Sequence, residues 1–310
     1  MTSRTNFELR KEDRMNIFKG AGVALVTPFN DGKVDFKSLG KLIDWQLAEG
    51  IDAIISCGTT GEASTMNDKE HIETVAFTVN RVGGAVPVIA GAGSNDTNHA
   101  IEMSKELENV GVDGLLLVTP YYNKCTQKGL INHYTLIADS VNIPTILYSV
   151  QGRTGVNIDP GTVSVLAKHH NIVGIKEASG NISQVVEIAK YVSDDFALYS
   201  GNDDMIVPLL SVGGTGVIST VANIIPKNMH EMVMAYLDGN TKKAAQMQLK
   251  MKSLIDAMFI EVNPIPVKAA LHIMGFIEPE YRMPLCEPEN KTLYQIMFEM
   301  KNYGLTENNN

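Results

Sequence analysis

From Gly20 onward the chain alternates short, nearly continuous apolar runs with amphipathic stretches, and this alternation restricts its fold more than any other feature. The runs are Gly22–Val26, Ala53–Ser56, Val86–Ala90, Gly114–Val118, Pro144–Tyr148, Ile172–Ile175, Ala197–Ser200 and Gly216–Ser219. They are mostly Val, Ile, Leu, Ala and Gly, without a polar residue at every second position. Parallel strands covered on both faces read this way, whereas a half-exposed antiparallel sheet alternates. Between the runs lie helices with recognisable ends. Phe36, Leu39, Ile43 and Leu47 share one face of a helix opening near Asp35. Ile72, Val75, Ala76 and Val79 share another after Asn67, with Glu70 three residues on as in a capping box. Ala100, Met103, Leu107 and Val110 follow Asp96, and Gly111 stands where a left-handed residue ends a helix.

The joints repeat. Gly50-Ile51-Asp52-Ala53-Ile54-Ile55 recurs as Gly111-Val112-Asp113-Gly114-Leu115-Leu116, and more loosely as Gly213-Gly214-Thr215-Gly216-Val217-Ile218. Each ends a helix on glycine and feeds a strand. Eight strands in strand–helix order without a Pro/Gly/Ser-rich linker predict the α/β class and a closed (β/α)8 TIM barrel. The barrel should fill residues 16–238. Residues 239–305 read as a C-terminal helical appendage, with Ala244, Met247, Leu254 and Met258 on one apolar face. Residues 1–15 lack an apolar core and read as a disordered extension, and 306–310 as a tail.

Composition narrows the function. A chain of 310 residues with 44% hydrophobic and 20% charged residues is neither collagenous nor a disulfide scaffold. A net charge of −9 with no long basic run argues against nucleic acid as a partner. No apolar run approaches the roughly 20 residues that span a bilayer, so no membrane is implied. Cys57, Cys125 and Cys286 are odd in number and far apart, which fits a cytoplasmic location.

In such barrels the site forms at the C-terminal ends of the strands. Lys176 directly continues the apolar run Ile172–Ile175. An ammonium there pairs, reaches solvent or lowers its pKa, and a desolvated amine attacks carbonyl carbon to give a Schiff base. The ordinary alternatives are a lysine snorkelling to the rim or pairing with Glu177. Tyr148 ends the preceding run, from which its phenol can approach that amine. Thr59 and Thr60, set between Gly58 and Gly61, offer hydroxyl and backbone donors for a small carboxylate, or simply form a tight turn. Arg153 can grip a carboxylate bidentately or stand as a solvated charge. Tyr121 and Tyr122 suit packing at a subunit interface. Gly213-Gly214-Thr215-Gly216 lies at the wrong end of the barrel for a phosphate loop, and Asp203-Asp204 reads as a helix start. His169-His170 reads as the close of a helix, and the seven histidines show no metal-ligand spacing. No cofactor or metal is indicated.

Together these residues resemble the dihydrodipicolinate synthase / N-acetylneuraminate lyase family of lysine-dependent aldolases, over Asn16 to Leu305. The resemblance rests on Gly58-Thr59-Thr60-Gly61-Glu62, on Val118-Thr119-Pro120-Tyr121-Tyr122-Asn123, on Gly174-Ile175-Lys176-Glu177-Ala178-Ser179-Gly180-Asn181 and on Asn263-Pro264-Ile265-Pro266-Val267-Lys268. It implies Lys176 as the Schiff-base residue, Tyr148 as general acid/base, and Thr59 linking Tyr148 to Tyr122 of a neighbouring subunit. Thr60, with Gly201 and Ile218 backbone groups, would hold pyruvate. Arg153-Thr154-Gly155 resembles the condensing branch, where that arginine meets the carboxylate of L-aspartate 4-semialdehyde. The implied reaction gives 4-hydroxy-tetrahydrodipicolinate, the opening step of diaminopimelate and lysine biosynthesis. It implies an oligomer, commonly a tetramer built as a dimer of dimers.

Two departures from the family pattern stand out. Ser149 and Gln151 replace the usual Asn and Pro after the tyrosine, which would loosen the Arg153 loop. At the positions resembling a lysine-effector site, His71, Asn95 and Tyr121 are retained, but His99 replaces an acidic residue, so weak or absent lysine feedback is expected. The rival readings are another pyruvate-dependent aldolase acting on sugar acids, and a silent barrel that binds a small acid.

Overall fold

The computed structural model describes residues 17–306. The expected N-terminal extension, and the tail beyond Thr306, lie outside the described residues. Eight parallel strands close into a barrel: β1 (Gly20–Ala24), β2 (Ala53–Ser56), β3 (Val88–Gly91), β4 (Gly114–Val118), β5 (Thr145–Ser149), β6 (Ile172–Glu177), β7 (Ala197–Ser200) and β8 (Gly216–Ser219). Neighbours in sequence are neighbours in space. β1 closes the ring by pairing with β8 through Gly20 opposite Gly216, and with β2 through Gly22 opposite Ala53. A Cβ on Gly216 would stand 2.1 Å from the Gly20 carbonyl oxygen, so the seam needs a bare backbone there.

The intervening helices are α1 (Phe36–Ala48), α2 (Asp68–Val82), α3 (Thr97–Val110), α4 (Gln127–Asp139), α5 (Pro160–Leu166), α6 (Ile182–Ala189), α7 (Ile206–Leu210) and α8 (Pro226–Leu237). The sequence-read caps form. Asp35 accepts the Lys37 and Ser38 amides at the start of α1, Asn67 accepts the Glu70 amide at the start of α2, and Gly111 ends α3 at φ 91°. Only half of the expected capping box is present, because the Glu70 carboxylate turns away to pair with Arg282.

Three differences from the sequence reading have simple causes. The first strand starts two residues early, at Gly20, because its register is set by β8 rather than by its own apolar run. Phe29–Asn30 and Lys33–Val34 form a small antiparallel hairpin, too short to leave a period in the sequence. α5 ends at Leu166, so His169 and His170 lie in the turn beyond it.

After the barrel come α9 (Thr241–Ala257), α10 (Ile265–Ile273) and α11 (Asn290–Tyr303). Ala244, Leu254 and Met258 are buried, and they share one apolar cluster with strand and barrel-helix residues such as Ile54, Leu117 and Val233. The barrel lumen has its own smaller cluster, including Ile55, Ile89, Leu116, Ile146, Tyr148 and Tyr199. Within it Phe18 and Tyr199 stack at 4.5 Å, and the Tyr199 hydroxyl donates to the Phe18 carbonyl at 2.7 Å.

Candidate active site

β5 and β6 pair with Tyr148 opposite Lys176 and Ser149 opposite Glu177. Residues paired across a sheet face the same side, and successive ones face opposite sides. Tyr148 and Lys176 are both buried, and Lys176 Nζ lies 4.3 Å from the centre of the Tyr148 ring. Glu177 turns the other way. It accepts the Ser179 amide at 3.1 Å and the Gln184 side chain at 3.0 Å, and burial raises its pKa. The alternative of a Lys176–Glu177 pair is thereby closed. Gly201 packs beside the lysine stem, where a Cβ would stand 3.1 Å from Lys176 Cε. Ile218 is buried in the same lumen cluster as Tyr148.

The loop leaving β2 is a strained turn. Cys57 and Glu62 adopt positive φ, 51° and 56°, at either end of Gly58-Thr59-Thr60-Gly61. Non-glycine residues accept that conformation only where the surroundings enforce it. Thr59 is exposed and borders a cleft of about 410 Å³ with Tyr148 and Arg153. Thr60 is buried. Its hydroxyl lies 3.3 Å from the Thr220 hydroxyl and 2.9 Å from Asn263 Nδ2, which donates to it.

Arg153 sits in a one-turn helix, Gln151–Thr154, that follows β5 and ends at Gly155. Its guanidinium donates to the Asn263 carbonyl at 3.0 Å. Without the family's proline, the turn is held by other means. The Arg153 and Thr154 amides bond the Val150 carbonyl, and the Thr119 hydroxyl donates to Thr154 at 2.7 Å. Ser149 accepts the Ile158 amide at 3.1 Å. Tyr122 meets none of these groups within its own chain. It is 92% exposed at φ 69°.

The cleft continues from Tyr148 to His71, His99 and Tyr121 among the expected effector positions. His71 is buried with Nε2 unpartnered, and desolvation lowers its pKa, which favours the neutral ring. His99 Nε2 lies 3.0 Å from Asp68 Oδ1. Asn95 donates to the Tyr121 carbonyl at 3.2 Å. Asp68, the first residue of α2, was not among the sequence candidates.

Sequence reasoning also missed three contacts that join distant segments. Lys268 on α10 pairs with Glu62 at 2.5 Å, both side chains fully buried. Desolvation lowers the Lys268 pKa against the opposing pull of Glu62. Its ammonium also lies 4.5 Å from the Phe29 ring. Asp203 does open the helical segment after β7, as the first residue of a short 3-10 turn leading into α7, but it is also wholly buried, and its carboxylate accepts the Thr220 and Val221 amides. Burial pushes its pKa up to about 6. The third contact is Asn263 itself, between Thr60 and Arg153.

Asp139, His169 and His170 place potential ligand atoms within 4.8 Å of one another, a grouping the sequence spacing did not reveal. The hydrogen bonds disfavour a metal there. His169 Nδ1 accepts the Asn171 amide at 3.1 Å, which puts the ring proton on Nε2, the atom facing Asp139. The neutral ring then has no lone pair at Nε2 for a cation.

Known proteins resemble this chain in sequence and in fold. Residues 17–302 match the Dihydrodipicolinate synthetase family. A 4-hydroxy-tetrahydrodipicolinate synthase of Acetivibrio thermocellus is 56% identical over 292 residues, covering 94% of this chain and 99% of that protein. The Clostridium tetani protein of the same name is 54% identical, with the same shares covered. The solved dihydrodipicolinate synthase of Thermotoga maritima superposes with a TM-score of 0.92 at 44% identity, over 94% of this chain and 100% of that one. A monomeric dihydrodipicolinate synthase variant gives 0.93 at 44% identity, over 95% and 99%. Matched along nearly its whole described length in sequence and in fold, the chain belongs to the dihydrodipicolinate synthetase family.

Proposed function

We infer that the protein is a lysine-dependent synthase that condenses pyruvate with L-aspartate 4-semialdehyde to 4-hydroxy-tetrahydrodipicolinate. The observation that carries this reading is the buried amine of Lys176 over the Tyr148 ring, at the end of the barrel where the strand-following loops converge. Relatives that bear the synthase name span nearly the whole chain.

In this reading Lys176 Nζ attacks C2 of pyruvate and water leaves, giving an imine. The imine draws electrons from the methyl group, whose proton is lost to give an enamine. The enamine carbon attacks the aldehyde carbon, and the new alkoxide takes a proton. The semialdehyde's own amino group then attacks C2, closing the ring and expelling the Lys176 amine. Tyr148 handles the protons of these steps. Thr59 links it to Tyr122 of a second copy of the chain, and Thr60 with the Gly201 and Ile218 backbone holds the pyruvate carboxylate. Arg153 receives the semialdehyde carboxylate.

A Tyr122 that is 92% exposed on its own chain supports at least a dimer. A tetramer of two such dimers is the assembly we propose. Free Cys57, Cys125 and Cys286 support a cytoplasmic location, and no helix among the described residues is long and apolar enough to cross a membrane. The Asp68–His99 pair occupies the acidic charge that an effector's amine would need, so lysine at millimolar levels should leave turnover unchanged; strong inhibition below that range would overturn this.

The deciding experiment is borohydride reduction in the presence of pyruvate, followed by peptide mapping. A stable adduct on Lys176 is expected, and its absence from folded protein would sink the aldolase reading. Faster turnover of aspartate semialdehyde than of 2-keto-3-deoxy sugar acids is expected in the same preparation.

A further inference from the structure

Asn263 lies in the connection between α9 and α10, outside the barrel's own loops, yet it touches both groups assigned to substrate carboxylates. Its side-chain Nδ2 donates to the Thr60 hydroxyl at 2.9 Å, and its main-chain carbonyl accepts the Arg153 guanidinium at 3.0 Å. Asn263 is buried, and its Oδ1 has no partner. An amide left half-satisfied in a buried place is retained at a cost, so the bond from Nδ2 matters.

The chemistry of Thr60 gives that bond a purpose. A hydroxyl has one proton and two lone pairs. One lone pair is filled by Asn263 Nδ2. The Thr220 hydroxyl, 3.3 Å away, fills the other when it donates. Thr60 is then saturated as an acceptor, and its own proton is left for a third partner. An anion is the partner that such a donor suits, because hydrogen bonds to charged acceptors are the strong ones. Without these two donors the hydroxyl is free to rotate, and its proton can turn inward to Thr220.

We propose that Asn263 is a positioning residue for substrate binding: with Thr220 it fixes the Thr60 hydroxyl as a donor to the carboxylate of the keto acid. The inference rests on the pyruvate-binding reading above. It makes the C-terminal helical region part of the substrate site.

The test is a steady-state comparison of Asn263→Ala, Asn263→Asp and Thr220→Val, each also combined with Thr60→Val. Asn263→Ala and Thr220→Val should each raise the pyruvate KM roughly 10-fold with little change in kcat, the effect of one charge-assisted hydrogen bond. Asn263→Asp should raise it further, because an ionised carboxylate takes the Thr60 proton for itself. On a Thr60→Val background none of the three should raise KM again, since groups acting through one hydroxyl are not additive. Additive effects, or a lowered melting temperature with KM unchanged in both Asn263→Ala and Thr220→Val, would overturn the proposal. Borohydride trapping on the unsubstituted protein separates the two levels. No pyruvate adduct there removes the aldolase reading and this inference with it. An adduct accompanied by unchanged KM in the variants removes this inference alone.

Discussion

At the scale of single residues, the proposed site sets one amine over one phenol ring. Because Tyr148 and Lys176 are directly opposite in a strand pair, their relative position is fixed by backbone hydrogen bonds rather than by a flexible loop. Lys176→Ala should abolish the borohydride adduct. Tyr148→Phe keeps the ring against the lysine stem and should still form the adduct, while kcat falls about 10²- to 10³-fold. An unchanged kcat in Tyr148→Phe would remove the phenol from the proton path. Asp203 offers a different test. Burial pushes its carboxyl up to about 6 from an ordinary 3.8, opposed by bonds from Ser219, Val221 and Thr220 and by the charge on Lys176. The folded chain therefore holds this proton more tightly than the unfolded chain does. Stability from it is present below pH ~4 and is lost as pH rises through ~6. Relative to Asp203→Asn, the unsubstituted protein should lose on the order of 3 kcal/mol across that interval, read from urea unfolding at stepped pH. Parallel pH profiles for the two proteins would refute it.

At the scale of elements, what was legible in the sequence is what local pattern can encode. Strands such as Ala53–Ser56 and Gly114–Val118 are unbroken apolar runs, and caps such as Asp35 and Asn67 announce the helices behind them. Lys176, Tyr148, Thr59 and Arg153 could be singled out because each ends or follows a readable apolar run. His169 misled, because a polar residue near an element's end signals a helix terminus whether or not the last turn unwinds before it. The bonds from Asn263 to Thr60 and from Lys268 to Glu62 left no signal of their own, since each joins residues more than 200 positions apart. The second bond is the more demanding of the two. It locks α10 to the strained loop after β2, with no water to stabilise either charge alone. Lys268→Ala should cost about 3–5 kcal/mol in denaturant unfolding, whereas the joint replacement Glu62→Gln with Lys268→Met should recover much of that loss. A cost below about 1 kcal/mol for Lys268→Ala, the level of an exposed pair, would contradict the burial.

At the scale of the whole molecule, a net charge of −9 must be overcome locally for two substrate carboxylates, and in the proposed site Lys176, Arg153 and the Thr60 donor would do so at one end of the barrel. The same end is where a second copy is expected. Mixing Lys176→Ala chains with Tyr122→Phe chains should restore activity, because half the sites in mixed dimers then combine an intact lysine with an intact tyrosine. If activity stays at the level of the two parents after subunit exchange, Tyr122 does not act across an interface. The long reach of Asn263 and Lys268 also bears on how the protein is made. Ribosomes release a chain from its N-terminus, and Thr59, Thr60 and Glu62 emerge early. β1 waits for β8 before the ring closes, and Glu62 waits for a lysine 206 residues later. A chain broken off before Asn263 therefore contains the reactive amine but neither the clamp on the carboxylate loop nor the anchor for the arginine. Chains that stop short of Asn263 are therefore expected to show no turnover, even though they carry Lys176 and Tyr148.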